Sequence, residues 1–305
     1  MSEITAAKVK ELREKTGAGM MDAKKALTEA GGDMEAAMEE LRKKGMAKAD
    51  KKSSRTAAEG LVAVVTDGTK GAVIELNAET DFVSRNEEFQ AFVKKVAEKA
   101  LDVKNVEALA VSDFGGKSVK DALTDLIAKI GENMALRRSE KLEVSNGAIV
   151  SYVHGALADG LGKIGVLVAL ESDASADVLE PLGKQVAMHV AAAFPKYLDR
   201  DSVDTTEMEK ERAFLVEQAM AEGKPQDIAE KMVEGRMRKY FEEICLLDQK
   251  SVIDGETKIA DVIANAAKEA GSEIKLTAFA RFQLGEGIEK EEEDFAAEVA
   301  KAANG

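Results

Sequence analysis

The chain has 305 residues, 45% of them hydrophobic, and a formal net charge of −14. That length buries a core large enough for two or three domains, and so acidic a balance argues against nucleic acid as a partner, because phosphates would repel it. The single cysteine, Cys245, excludes an internal disulfide and fits a reducing, cytoplasmic compartment. No apolar run approaches the roughly eighteen residues that cross a bilayer, so no membrane association is expected.

Taken in chain order, residues 1–45 read as three helices. Ile4, Val9 and Leu12 form one apolar stripe, and Thr16-Gly17-Ala18-Gly19 breaks the helix because glycine tolerates positive φ. A second helix runs from about Met20 to Ala30 and stops at Gly31-Gly32. Asp33 is a good N-cap for a third, in which Met34, Ala37, Met38 and Leu41 share a face. Gly45 is expected to end it. Residues 46–58 read as a polar, partly helical linker whose Lys48, Lys51, Lys52 and Arg55 are solvated. Residues 1–55 hold 13 Lys/Arg against 10 Asp/Glu, so the acidity lies in the rest of the chain.

A pattern then occurs twice. Gly60–Thr66 and Gly71–Leu76 are β-branched apolar runs around the turn signal Asp67-Gly68. Asn86 can cap a helix bearing Phe89, Phe92, Val93, Val96, Ala97 and Leu101. Gly147–His154 and Ile164–Leu170 repeat the strand pair, and a helix follows from about Val178 to Ala193. Between the copies, Val119–Met134 reads as an amphipathic helix. The expectation is an α+β fold with a duplicated core of small antiparallel sheets covered by helices. Residues 205–248 read as a helical hairpin broken at Gly223-Lys224-Pro225, with so sparse an apolar face that it is expected to protrude. A strand at Ile274–Leu284 and a C-terminal helix from about Lys290 to Ala303 complete the chain.

Chemistry-bearing constellations are missing. Gly116-Lys117-Ser118 has Val111 where a phosphate-binding loop needs glycine. The two histidines, His154 and His189, form no metal-ligand spacing, and structural or surface roles are expected for both. No enzyme activity, cofactor or metal site is expected.

Two segments are distinctive: Thr16-Gly17-Ala18-Gly19-Met20-Met21-Asp22-Ala23-Lys24-Lys25-Ala26-Leu27, and Thr80-Asp81-Phe82-Val83 followed by Asn86. Both resemble signature motifs of the elongation factor Ts family, and the ending Gly285-Glu286-Gly287-Ile288-Glu289-Lys290 with Asp294-Phe295-Ala296 is similar too. The resemblance covers essentially the whole chain. It implies a ubiquitin-associated-like domain (1–45), a linker (46–58), a core N-subdomain (59–140), a core C-subdomain (141–285) carrying the hairpin at about 205–248, and a C-terminal helix module (286–305). It also implies a non-enzymatic translation factor that promotes GDP release from elongation factor Tu. In that picture the N-terminal unit docks on the partner's nucleotide-binding domain, with Met20 and Met21 as docking candidates. The loop Thr80, Asp81, Phe82 and Val83 approaches its magnesium and phosphate region, the second subdomain grips another domain, and the C-terminal helix adds a contact. A homodimer, and a heterodimer or heterotetramer with elongation factor Tu, both stay open.

Individual residues carry two readings. On the residues alone, Phe82 just before a helix reads as a hydrophobic staple folded onto its own core; the resemblance reverses that preference. Thr80 and Val83 are expected to shape the loop. One of Met20 and Met21 is expected in the core and one at the surface. The segment Gly155–Lys163 is longer than the tight turn some family members have, so His154 is not carried over as a partner contact. The rival reading is a ubiquitin-associated-like adaptor or coiled-coil scaffold, which gives the Thr80–Val83 loop no role.

Overall fold

A computed structural model describes residues 4–289. It divides into two compact units. The first draws on residues up to Val62, Ile74–Ser139 and residues from Gln283; the second on Ala63–Val73 and Glu140–Phe282. The fold is α+β. The predicted C-terminal helix, from about Lys290 to Ala303, lies outside the described residues.

The first unit opens with α1 (Ala6–Thr16), α2 (Met20–Glu29) and α3 (Met34–Lys52). Their ends follow from local chemistry. The Thr5 hydroxyl accepts the Lys8 amide, Gly17 closes α1 at φ 70°, and Asp33 Oδ1 accepts the Ala36 amide at 2.9 Å. Val9, Leu12, Ala23, Ala26, Leu27 and Ala37 form the core, with Ile4, Met34, Met38 and Leu41 packed against it. Gly45 does not end α3, contrary to expectation. The helix runs seven residues further, to Lys52, and the reason is packing. Here α3 packs on α7 (Val119–Ile130): a Cβ added at Gly45 would meet the Ala128 Cβ at 3.4 Å, an ordinary contact distance. The Lys52 ammonium donates to the Gly131 carbonyl at the far end of that contact.

β1 (Glu59–Asp67) and β2 (Lys70–Ala78) contribute to both units, and both are buried along most of their length. After β2 come a one-turn helix α4 (Asp81–Ser84), α5 (Glu87–Ala100), α6 (Val106–Val111) and α7. The predicted stripe of α5 is buried from Phe89 to Ala97, while Leu101 sits at the C-cap. Val119–Met134 is not one helix. Gly131, at φ 91°, stops α7, and Met134 begins a strand, β3 (Met134–Glu143). That strand escaped the sequence reading because Arg137, Arg138, Glu140 and Lys141 hide its alternation. Its arginines are tethered inward. Glu75 of β2, fully buried, accepts Arg138 Nε at 2.5 Å and Arg137 Nη1 at 3.2 Å, and also the Gly285 amide at 2.8 Å.

The second unit holds β4 (Gly147–His154), the two-residue β5 (Leu161–Gly162), β6 (Ile164–Ser172), α8 (Ala176–Ala193), α9 (Thr205–Ala221), α10 (Gln226–Ile244), α11 (Ile259–Ala270) and β7 (Ile274–Gln283). Strand orders are β3-β2-β1-β5 and β4-β6-β7. β4 pairs antiparallel with β6, from Gly147 opposite Glu171 to His154 opposite Ile164. Val166, Val168 and Leu170 of β6 pack with Leu179, Val186 and Val190 of α8, Ile259 of α11 and Leu276 of β7. α10 ends at Ile244, just inside the expected hairpin, and a 3-10 turn over Leu246–Asp248 follows. β1 and β4 begin alike: Gly60 (φ 120°) and Gly147 (φ 125°) each leave room for a carbonyl, that of Leu76 or Leu170, which would lie 2.2 or 2.0 Å from an added Cβ. Among the described residues no helix is long and apolar enough to cross a membrane.

Candidate functional site

The segment between β2 and α5 concentrates the distinctive residues. Asn86 caps α5, its Oδ1 accepting the Glu88 and Phe89 amides at 3.0 and 3.1 Å. Upstream, the turn α4 has an inner and an outer face. Val83 and Ser84 are buried; the Ser84 hydroxyl donates to the Gly60 carbonyl at 2.7 Å, and Gln90 Nε2 donates to the Ser84 carbonyl at 2.9 Å. Asp81 and Phe82 face outward, and Phe82 is 78% exposed. The staple reading of Phe82 is therefore overturned; the fully buried ring in this segment is Phe89, in the first turn of α5. Exposing a phenyl ring at this level costs solvation free energy that a core position would recover.

Thr80 does not cap the turn it precedes. Its hydroxyl donates instead to Glu132 Oε1 at 2.7 Å, and its amide donates to Glu132 Oε2 at 2.9 Å. The neighbouring carboxylate, Glu79, accepts the Asn133 amide at 2.5 Å and the Arg55 guanidinium at 3.3 Å. Sequence reasoning missed Glu79 and Glu132. Glu132 lies 52 residues from Thr80, on the turn after α7, and no local pattern joins them.

Met20 and Met21 lie on a different element, the first turn of α2. Both are exposed, at 61% and 77%, where one was expected to be core. The buried face of α2 begins one turn later, at Ala23, Ala26 and Leu27, so its first turn overhangs the helical core. A cleft of about 820 Å³ runs beside this turn, lined among others by Gly17, Ala18, Lys48, Asp121 and Asp125. It gathers no catalytic set, and Lys48 is paired with Asp22.

The histidines fall elsewhere. His154 is exposed at the end of β4, 3.2 Å from the Tyr152 hydroxyl. His189 is buried in α8; its Nε2 meets Gln249 Oε1 at 2.8 Å and its Nδ1 accepts the Val252 amide at 3.2 Å, an arrangement that fixes the neutral tautomer with the proton on Nε2. Burial pushes its pKa down. Cys245 is buried, which pushes its thiol up to about 11 and keeps it protonated. Among the described residues no three His, Cys, Asp or Glu side chains group as a metal site.

The family model for elongation factor Ts matches residues 79–286, which includes this loop. Elongation factor Ts of Paramagnetospirillum magneticum is 61% identical over 99% of this chain and 98% of its own length. That of Erythrobacter litoralis is 59% identical over 100% of both chains, and that of Zymomonas mobilis 60% identical over 99% of both. With more than half of its length inside the family model and relatives matched end to end, the chain belongs to the elongation factor Ts family.

Proposed function

We propose that this chain binds elongation factor Tu carrying GDP and promotes GDP release by disturbing the partner's Mg²⁺ and phosphate site, so that GTP can reload. Family membership supports the partner and the place in translation elongation. The observation that carries the mechanism is Phe82, 78% exposed on a turn whose inner face is fixed to the core. Inserted into the partner, the ring contributes about 1.5–3 kcal/mol on burial, free energy available to push partner elements away from their nucleotide-bound positions. Asp81, outward on the same turn, brings a negative charge that competes for the water shell of the ion or repels the phosphate ligands. Val83 and Thr80 shape the loop. Met20 and Met21 supply an adaptable apolar docking surface.

The chemistry needed is binding alone. An exchange factor must bind the nucleotide-free partner more tightly than the nucleotide-bound one, and linkage makes each ligand weaken the other by the same factor. GTP then occupies the released partner by concentration. No enzyme step, cofactor, nucleic acid or membrane enters this reading, and the working compartment is the cytoplasm.

Stopped-flow release of fluorescent GDP from elongation factor Tu tests it, with the parent chain, Asp81→Ala and Phe82→Ala. Strong acceleration by the parent, blunted in both variants, is expected. Acceleration unaffected by either change removes the loop from the mechanism. A folded parent that gives no acceleration at micromolar concentration overturns exchange and promotes the adaptor reading.

A further inference from the structure

Glu79 and Glu132 sit in a reciprocal arrangement. Each carboxylate accepts the backbone amide of the residue that follows the other: Glu132 takes Thr80 N at 2.9 Å, and Glu79 takes Asn133 N at 2.5 Å. Three further interactions close the set. The Thr80 hydroxyl donates to Glu132, and the Asn133 side-chain amide donates to the Arg55 carbonyl at 2.7 Å while the Arg55 guanidinium reaches Glu79. We infer that this double clasp positions the Thr80–Val83 loop, with Glu132 and Glu79 as its positioning residues, and that it holds Phe82 outward before any partner arrives. The inference rests on the proposed exchange function.

The physical case starts from the exposed ring. A phenyl side chain on a loose turn folds back onto nearby apolar surface, because leaving it in water is unfavourable. Here the turn has no hydroxyl cap of its own: the Thr80 side chain accepts from none of its amides and instead donates to Glu132. The entry to the turn that presents Phe82 is therefore held from outside it, by a carboxylate 52 residues away, while Ser84 holds its other end to the Gly60 carbonyl. Hydrogen bonds donated by backbone amides to carboxylates are stronger than those to neutral acceptors. A loop already in its docking conformation spares the ordering cost at encounter, and apparent affinity falls in proportion when only a fraction of molecules is competent. Arg55 extends the device. It lies three residues beyond the end of α3, so the same clasp ties the loop to the base of the helical unit that bears Met20 and Met21.

Three variants test the clasp: Glu132→Ala, Glu132→Gln, which keeps one acceptor oxygen, and Thr80→Val, which keeps shape but loses the hydroxyl. Melting temperature serves as the folding control. Hydrogen exchange on the free chain reads the anchor directly. The Thr80 amide should lose protection by about tenfold or more in Glu132→Ala; unchanged protection overturns the clasp, whatever the parent does to GDP release. In stopped flow, the half-saturating concentration of Glu132→Ala should rise about tenfold, with the saturating rate within about twofold of the parent, and Glu132→Gln should fall between them. The double variant Thr80→Val/Glu132→Ala should be no worse than Glu132→Ala alone, because both changes remove the same bond; additive losses overturn the assignment. If Glu132→Ala matches a working parent while Phe82→Ala is impaired, positioning is refuted and exchange stands. If the parent itself is inactive, exchange fails and hydrogen exchange alone decides the clasp.

Discussion

Glu75→Gln is the most informative change to the core of the first unit. The native carboxylate has no solvent exposure and accepts from four residues: Asn77 Nδ2 at 3.0 Å, Arg137 at 3.2 Å, Arg138 at 2.5 Å and the Gly285 amide at 2.8 Å. Glutamine conserves volume but replaces one acceptor oxygen with an NH₂ donor, which must face a donor already in place. A hydrogen bond to a charged group contributes about 1.5–3 kcal/mol, and two arginines share this one. Breaking a buried pair outright costs about 3–5 kcal/mol. The arginines are 30% and 29% exposed and recover some hydration when released, which lowers the expected loss to about 2–4 kcal/mol. Because the chain has two units, the loss is best read by native-state hydrogen exchange at β2 amides, alongside urea unfolding. The same variant should loosen residues near Gly285, whose amide loses its acceptor. A change below about 0.5 kcal/mol, the scale of an ordinary surface substitution, refutes the view that this carboxylate organises β2, β3 and the segment after β7.

Three further outcomes follow from the same geometry. Gly45→Ala should be tolerated or stabilising by up to about 1 kcal/mol through helix propensity, whereas Gly45→Leu, meeting Ala128, should cost about 1–3 kcal/mol; thermal melts of the pair decide. Gly60→Ala should destabilise by about 3 kcal/mol or more, since φ of 120° and a carbonyl 2.2 Å from the new Cβ leave it no unstrained position; urea midpoints measure it. His189 has a lowered folded pKa, so the unfolded chain takes up the proton first. Its contribution is complete above the unfolded value of about 6.5 and falls as pH drops from there toward the folded pKa. His189→Gln should flatten that part of the stability–pH profile, as followed by urea unfolding between about pH 5 and 8.

What was legible in the sequence was local. Asp33 and Asn86 as caps, Gly17 as a stop, and the apolar stripe of α5 all depend on residues within one or two turns of each other. The apolar runs of β1 and β2 announce themselves because both strands are largely buried. α11 was missed although Ile259 and Ile263 share a face, so there the signal existed. The rest depended on distant partners. β3 looks like a polar stretch until Glu75 is seen to receive its arginines. Gly45 looks like a stop until α3 is seen to run on past it against Ala128 of α7. The exposed pair Met20 and Met21, and the hold of Glu132 on Thr80, are decided by where other elements end.

The continuation of α3 to Lys52 changes what length means in this part of the chain. Its 19 residues make a shaft about 28 Å long, laid against α7. In a flexible tether one extra residue would be silent, but in a helix each residue advances the phase by about 100°. A single insertion between Gly45 and Lys52 would rotate the helical unit about its own axis and swing Met20 and Met21 to another bearing. The same insertion after Ser53, where the helix has ended, would be absorbed. Tolerance to insertion should therefore change abruptly within a few residues, in phase with the helix rather than with the polarity of the sequence.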